Sequence, residues 1–587
     1  MNDTIHVTRF ALLRKHLALM CLGVIVAHAF FIRCSHLLKA DHYYIISPDS
    51  YLFHWQAKLL MRGDPIRLVS HSGLTYPLAY TARAIGLVSG VTSEEALKVA
   101  TILVPPALGV MSVIAIYLAV SKMYDRRVGL LSAFAWAIAA LPVLMQAAGD
   151  VDRDCLSVLL IMIGAFVFYF SSDWHWKIRG FEVGWLLGVS AVLAIEVVVF
   201  IEWLWLGVVL LIAVLVAFTA VDILIGFAIR LVPSLMTEDD PLALPMVFIK
   251  KAPAIIGAAI RASNWQTLAV VLVLNGLLGA VRPGFTYMYQ EAGQLVRGAL
   301  SGTSTVSELE GMTAGDLLAY GLLTIPLVMG LYITVRNHRR RDLLCLSWFG
   351  CLLLGGLFAR RLFLYTAPAA CILAGLGLAF LFDFGKGKLS RLDLEMAFME
   401  PRQLLRYAKL VVAVLLMVLL FFLSSFSAYR LASDPVLAAH NDWEAALTYL
   451  RESTPKEAVV MSWWDYGYWI LDVAEREPVV DNGRHDDARD RDIALVYVAT
   501  DDSEAVRVMQ RYGADYLVFS TVEYRILPGI TGLGLGDSFG NGSSIPEEMQ
   551  NSLYARSLSG TELGGGLKRV YPSPEVDKPE VVILRIE

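Results

Sequence analysis

The chain has 587 residues, 57% of them hydrophobic and only 18% charged, with a formal net charge of −5. A mean hydropathy of +0.58 excludes an ordinary water-soluble protein. The small net charge decides little, because in such a chain the distribution of Lys and Arg matters more than their sum.

Apolar runs long enough to cross a bilayer fall near 16–33, 97–120, 128–147, 155–171, 183–201, 205–228, 267–285, 315–335, 342–358, 362–382 and 408–428. The first lacks a small-residue cleavage site and reads as a retained helix, not a signal peptide. With Arg9, Arg14 and Lys15 in the cytoplasm, every inner loop is basic. Examples are Lys122/Arg126/Arg127, Arg336/Arg339/Arg340/Arg341 and the set Lys386, Lys388, Arg391, Arg402 and Arg406. An odd number of spans then places residues 429–587 outside. The six Cys all lie at or before position 371, so the C-terminal region has neither a disulfide framework nor a Cys metal site.

Three acidic stretches fall on the outer side. They are Asp49 in the first outer loop (about 34–96), the Asp152-Arg153-Asp154 run, and Glu308 in Thr305-Val306-Ser307-Glu308 within the late outer loop 286–314. Loop acids are commonly just solvated, but acids at helix ends beside apolar runs are costly and tend to be paired or functional. Carboxylates at one aqueous face are hard ligands suited to Mg²⁺ or Mn²⁺. Arg361 begins a span at the same face; its fork suits phosphate, although interfacial snorkelling accounts for such an Arg equally simply.

From about 429 the composition turns to that of a soluble α/β domain, residues 429–587. Helices are expected over 442–452 and 503–512, the second opened by Asp501-Asp502-Ser503 and closed by Gly513. Strands are expected at 458–462, 516–519 and 581–584, and the Gly/Ser-rich stretch 531–547 reads as a mobile loop. Residues Trp463-Trp464-Asp465-Tyr466-Gly467-Tyr468-Trp469-Ile470 are expected on a strand-to-helix turn, with Gly467 allowing a close backbone approach. Such an aromatic cluster can simply be packing. Asp465 within it needs donors, which points to a pocket that reads one hydroxyl.

Trp463-Trp464-Asp465-Tyr466-Gly467 resembles the WWDYG signature of oligosaccharyltransferase catalytic subunits, the STT3/PglB/AglB family, most closely the single-subunit prokaryotic members. Asp49 in Pro48-Asp49-Ser50-Tyr51 is similar to the family's first-loop acid, Asp152 and Asp154 to its acidic pair, and Thr305–Glu308 to its SVSE/TIxE motif. The resemblance implies a polytopic α-helical membrane protein of GT-C type, with 11–13 transmembrane helices in residues 1–428 and an extracytoplasmic domain in 429–587. It implies transfer of an oligosaccharide, with inversion, from a polyprenyl-(di)phosphate carrier to the Asn of Asn-x-Ser/Thr in acceptor polypeptides. Asp49 and Glu308 would be catalytic, and Asp49, Asp152, Asp154 and Glu308 would bind Mn²⁺ or Mg²⁺. Arg361 would meet the donor pyrophosphate, while Trp463, Trp464, Asp465, Tyr466, Gly467 and Ile526 would bind the acceptor peptide. The implied setting is the inner (plasma) membrane, with the catalytic face periplasmic, a single subunit, bound membrane lipid and no nucleic acid.

Two features depart from the family. Where some members have an Arg after the loop glutamate that reads an acid two before Asn, this chain has Ala319-Tyr320-Gly321, and Met145 replaces an Arg seven residues before the acidic pair. Two other functions stay open. Another lipid-sugar glycosyltransferase on the same scaffold would not need the WWDYG pocket. A transporter would place acids near mid-membrane, as Glu196 and Glu202 suggest.

Overall fold

The computed structural model describes residues 2–38, 45, 47–64, 74–171, 177–178, 181–182, 189–192, 205–236, 244–263, 265–281, 312, 316–386, 401–433, 441–483, 487–535, 547–573, 576 and 579–587. It separates into two compact units. The first comprises Met1–His36, Pro105–Ala147 and Arg153–Asp434; the second comprises Leu37–Val104, Ala148–Asp152 and Pro435–Glu587. This division differs from a single cut at 428/429, because much of the first loop belongs with the C-terminal residues.

The first unit is mostly helical. Among the described residues, five helices are long and apolar enough to cross a membrane: His16–Arg33, Ser93–Met123, Arg153–Ser171, Leu210–Pro233 and Ala408–Ser433. Lys250–Ile260 and Trp265–Leu274, bent by 68°, form a sixth candidate. Other expected spans are shorter or interrupted. The stretch 128–147 divides at Ala139, whose ψ of 137° is extended, into Arg126–Ile138 and Ala140–Met145. Pro142 cannot donate a backbone bond there. The buried Arg33 guanidinium instead donates to the carbonyls of Ala137 and Pro142, at 3.2 and 3.3 Å. The stretch 315–335 is kinked at Gly321 before the helix Thr324–Asn337. Arg340–Gly356 covers 17 residues, and 362–382 divides into Arg360–Leu364 and Ala367–Lys386. Most of 183–201 lies outside the described residues. A two-residue hairpin, β1 (Lys177–Ile178) with β2 (Phe181–Glu182), also falls in this unit. Trp136, Trp348, Phe168 and Phe218 are among the large side chains fully buried in its core.

The second unit contains a five-stranded sheet of order β4-β3-β5-β7-β6. Its strands are β3 (Val459–Met461), β4 (Glu477–Pro478), β5 (Tyr516–Ser520), β6 (Leu567–Tyr571) and β7 (Val581–Ile586). β3 runs parallel to β4 and β5, whereas β7 is antiparallel to both β5 and β6. β5 is buried at all five positions, as expected of a central strand with both faces covered. The expected helices are Asn441–Ser453 and Asp502–Arg511. Asp501 caps the latter, its carboxylate accepting from Ser503 N–H at 3.0 Å, and Gly513 follows at φ 66°. The expected loop at 531–547 is corrected in part, since Leu527–Leu535 is helical; 536–546 lie outside the described residues. Thr531 Oγ1 bonds back to Leu527 O at 2.8 Å, so the apolar face of that helix, with Leu527 and Ile530 buried, outweighs its glycines.

Candidate functional site

The aromatic motif begins two residues after β3. Trp464–Tyr466 forms a 3₁₀ turn, Gly467–Trp469 an α-turn and Ile470–Ala474 a π-helical turn. Gly467 has an ordinary helical φ of −56°, so the constraint on it is space. A Cβ there would lie 2.4 Å from Val480 O and 2.5 Å from Asp481 Cα. The chain leaving β4 thus passes directly against the motif. Trp463 and Tyr466 are buried, while Trp464 and Asp465 are half-buried. Trp443 packs on Tyr466 at 4.3 Å and on Trp469 at 5.1 Å. Part of the cluster is therefore core, with Trp464 and Asp465 left at its edge.

The helix Pro48–Arg62 lies in the same unit. Pro48 occupies its first position, where a missing N–H costs nothing, and Asp49 is in its first turn, where a negative charge is favoured. Several contacts join this helix to the last residues of the aromatic motif and the turns that follow it. Tyr51 packs on Trp469 at 5.9 Å, His54 Nδ1 bonds Asp472 Oδ2 at 2.8 Å, and Lys58 Nζ donates to Glu475 Oε1 at 2.7 Å. His54 and Asp472 are both buried, so their pairing satisfies two groups that would be costly alone. Ser50 Oγ accepts from Val151 N–H at 2.8 Å, which ties the segment bearing Asp152 to the helix bearing Asp49. Asp49 and Asp152 are each the immediate neighbour of a partner in that bond.

Residues 521–526 form a second surface in this unit. Ser520 and Glu523 make a capping box around the 3₁₀ turn Thr521–Arg525. Val522, Tyr524 and Ile526 stand exposed on it. Glu523 is fully buried; its Oε1 accepts from Tyr497 O–H at 2.5 Å and its Oε2 from Ser520 N–H at 3.2 Å. Burial, with a smaller push from Asp465, raises its carboxyl to about 8. Burial and the nearby Glu523 carboxyl also hold Tyr497 well above the ordinary range.

In the first unit, Asp154 opens the helix Arg153–Ser171. Its Oδ2 accepts from Arg361 at 3.3 Å and its Oδ1 from Tyr365 O–H at 2.5 Å. Trp348 Nε1 donates to Tyr365 O at 3.1 Å and holds that end of the turn. Both Asp154 oxygens are thus engaged, and the carboxylate orients Arg361. Tyr320, in the Ala319-Tyr320-Gly321 stretch, is buried with its hydroxyl 2.6 Å from Thr366 Oγ1. Glu308 lies outside the described residues. Met312, four positions later, donates its N–H to Gly356 O at 2.8 Å.

Among the described residues no group of three or more His, Cys, Asp or Glu is gathered to hold a metal ion. Asp49 and Asp152 are hard carboxylate donors of the type a divalent cation takes, and each is next in sequence to a partner of the Ser50–Val151 bond. Sequence reasoning missed the His54–Asp472 pair and the buried Glu523. The Ser-x-x-Glu spacing of 520–523 was the available signal for the second; nothing local signals the first.

Residues 433–523 match a family described as AglB core domain, AglB_core-like. Dolichyl-phosphooligosaccharide-protein glycotransferase 1 of Pyrococcus horikoshii is 25% identical over 293 residues, which is 46% of this chain and 28% of that protein. The chain thus aligns with under a third of that relative's length. The apo oligosaccharyltransferase of Archaeoglobus fulgidus superposes with a TM-score of 0.71 at 16% identity, covering 96% of this chain and 81% of that one. The AglB of Archaeoglobus fulgidus in complex with an inhibitory peptide and a dolichol-phosphate gives 0.69 at 17% identity, covering 95% and 80%. At these identities the structural likeness establishes the fold.

Proposed function

We propose that this chain, which belongs to the oligosaccharyltransferase catalytic-subunit family, transfers an oligosaccharide from a polyprenyl-(di)phosphate lipid to the Asn amide of Asn-x-Ser/Thr sequons. One observation carries the reading to these residues. The helix bearing Asp49 and the turn bearing Trp463, Trp464 and Asp465 belong to one compact unit, joined by the His54–Asp472 pair. An enzyme that reads a hydroxyl two residues from the atom it modifies needs those two elements on one rigid body.

The chemistry follows from the acceptor. An amide nitrogen is a poor nucleophile because its lone pair is conjugated into the carbonyl, as in the peptide bond. Asp49 and Glu308 accept the two amide N–H bonds and weaken that conjugation. The nitrogen then attacks the anomeric carbon from the face opposite the (di)phosphate, whose bond to that carbon breaks with inversion, and the nitrogen gives up one of its two protons to a carboxylate it donates to. Asp465, flanked by Trp463 and Trp464, accepts the hydroxyl of the Ser or Thr, with Tyr466 and Gly467 shaping the turn and Ile526 supplying an apolar contact. A site built to bond a hydroxyl strongly rejects analogues without one. Arg361, oriented by Asp154, donates to the (di)phosphate of the lipid carrier. Mn²⁺ or Mg²⁺ would be held by Asp49, Asp152, Asp154 and Glu308, and when bound supplies Lewis-acid stabilisation to the leaving (di)phosphate.

The protein acts as a single multi-pass subunit with residues 429–587 on the extracytoplasmic side, a reading supported by the basic inner loops. The test is transfer of a labelled lipid-linked glycan to an Asn-x-Thr peptide by the purified chain. Activity should vanish in EDTA and return with Mn²⁺ or Mg²⁺, and Asp49→Ala, Asp152→Ala and Glu308→Ala should each cut turnover by orders of magnitude. Full activity of Glu308→Ala in chelator would refute the mechanism.

A further inference from the structure

We propose that His54 and Asp472 form a positioning pair that sets the separation between the amide end and the hydroxyl end of the acceptor site. The inference rests on the function proposed above and assigns a role to residues that touch neither substrate.

The geometry is that of a short seam between two helices. Along Pro48–Arg62 the contact residues are Tyr51, His54 and Lys58, spaced by three and four, so they share one face. Their partners Trp469, Asp472 and Glu475 are spaced by three on the turns that follow the WWDYG motif. The ring contact and the Lys58–Glu475 bond flank the His54–Asp472 bond. That central bond is buried, and Nδ1 lies 3.1 and 2.8 Å from the two carboxylate oxygens. Such a bond has little freedom to slide, whereas Glu475 at the outer end is 44% exposed in its side chain.

Both recognition groups lie close to this fixed point. Asp49 is five positions before His54, about 7.5 Å along a helix axis. Asp465 is seven positions before Asp472, about 10 Å along the mixed helical turns. In an extended acceptor, the Asn and the residue two further on are about 7 Å apart. A shift of one helix on the other by about 1 Å changes this spacing at the reacting amide, where such a misplacement can cost about a hundredfold in rate. The seam therefore works as the ruler that matches the enzyme to the x between Asn and Ser/Thr.

The experiment uses the full chain in lipid nanodiscs, with Asp472→Asn, His54→Gln and the exchanged double variant His54→Asp/Asp472→His. Peptide Kd, donor KM and kcat are measured separately, with Asn-x-Thr and Asn-x-x-Thr peptides. Each single variant should lower kcat ten- to a hundredfold, change peptide Kd and donor KM less than threefold, and narrow the preference for Asn-x-Thr. The exchanged variant should recover part of kcat, which a purely structural role does not require. Folded single variants with kcat within twofold of wild type and unchanged preference overturn the proposal. If the buried variants fail to fold, the same split is read from Lys58→Ala and Glu475→Gln. Lowered kcat with intact peptide binding then supports the ruler, and unchanged kcat overturns it. A wild-type chain that glycosylates no Asn-x-Thr peptide overturns the underlying function, and the ruler with it.

Discussion

Replacing Glu523 by Gln should remove one large contribution to the pH dependence of the second unit's stability. The carboxyl sits near 4.5 in an exposed chain and at about 8 in the folded protein. Between those values the folded state holds a proton that the unfolded state has released. Raising the pH therefore favours unfolding. The stabilisation is fully present below about pH 4.5 and is lost as the pH rises through about 8. At 1.36 kcal/mol per pH unit, the loss across this window is roughly 5 kcal/mol, an order-of-magnitude figure. Gln has no proton to release, so this contribution to the slope is absent from its curve. Its amide must, however, replace bonds from Tyr497 O–H and Ser520 N–H that now suit a carboxyl, at a cost of about 1–2 kcal/mol. The two curves should cross, with Glu523→Gln the weaker near pH 5 and the stronger near pH 8, there by roughly 3 kcal/mol. Urea unfolding of the full chain in detergent, followed by fluorescence of the buried Trp443, Trp463 and Trp469, reads the difference. Parallel curves, or a flat wild-type curve, would refute the assignment of a protonated buried Glu523.

Asp465→Ala should weaken binding of an Asn-x-Thr peptide ten- to a hundredfold, from the loss of about 1.5–3 kcal/mol of a charged hydrogen bond, and leave donor affinity unchanged. Calorimetric titration with each substrate distinguishes this from general damage to the aromatic core. Arg361→Ala should raise the KM for the lipid-linked donor at least tenfold without affecting the peptide, and Arg361→Lys should recover only part, because an ammonium cannot fork onto a phosphate. Peptides with and without an acid two before Asn should be used within about threefold of each other, since the stretch Ala319-Tyr320-Gly321 offers no Arg and the Tyr320 hydroxyl is committed to Thr366. A strict requirement for that acid in competition assays would mean that another cation reads it.

What the sequence made legible was local. The Asp501 cap and Gly513 stop bound the helix Asp502–Arg511, and the apolar run 516–519 became the central strand, because these signals act within a few residues. The strand-to-turn placement of WWDYG and the close approach at Gly467 were legible for the same reason. Apolar windows marked membrane-length stretches but not the break at Ala139, since hydropathy ignores Pro142 and the buried Arg33 that serves the freed carbonyls. The docking of Pro48–Arg62 beside Trp469 and Asp472 had no local signature. Only the fold brings His54 next to a residue 418 positions away. Glu523 carries a local signal in its spacing from Ser520, yet its burial depends on Tyr497, 26 positions away.

The composition of the second unit has a consequence for biosynthesis. Ile45, Tyr51 and Leu52 belong to the same apolar core as Trp443, Leu517 and Val582. The segment ending at Val104 is made roughly 330 residues before the segment beginning at Pro435. At about 5–20 residues per second, the ribosome needs roughly 20 to 60 seconds to supply the missing partner. For that interval the nascent loop shows apolar side chains that the finished protein hides, while helix after helix is threaded beside it. Slow or stalled translation past Val104 prolongs the time those side chains spend exposed to aggregation and proteolysis.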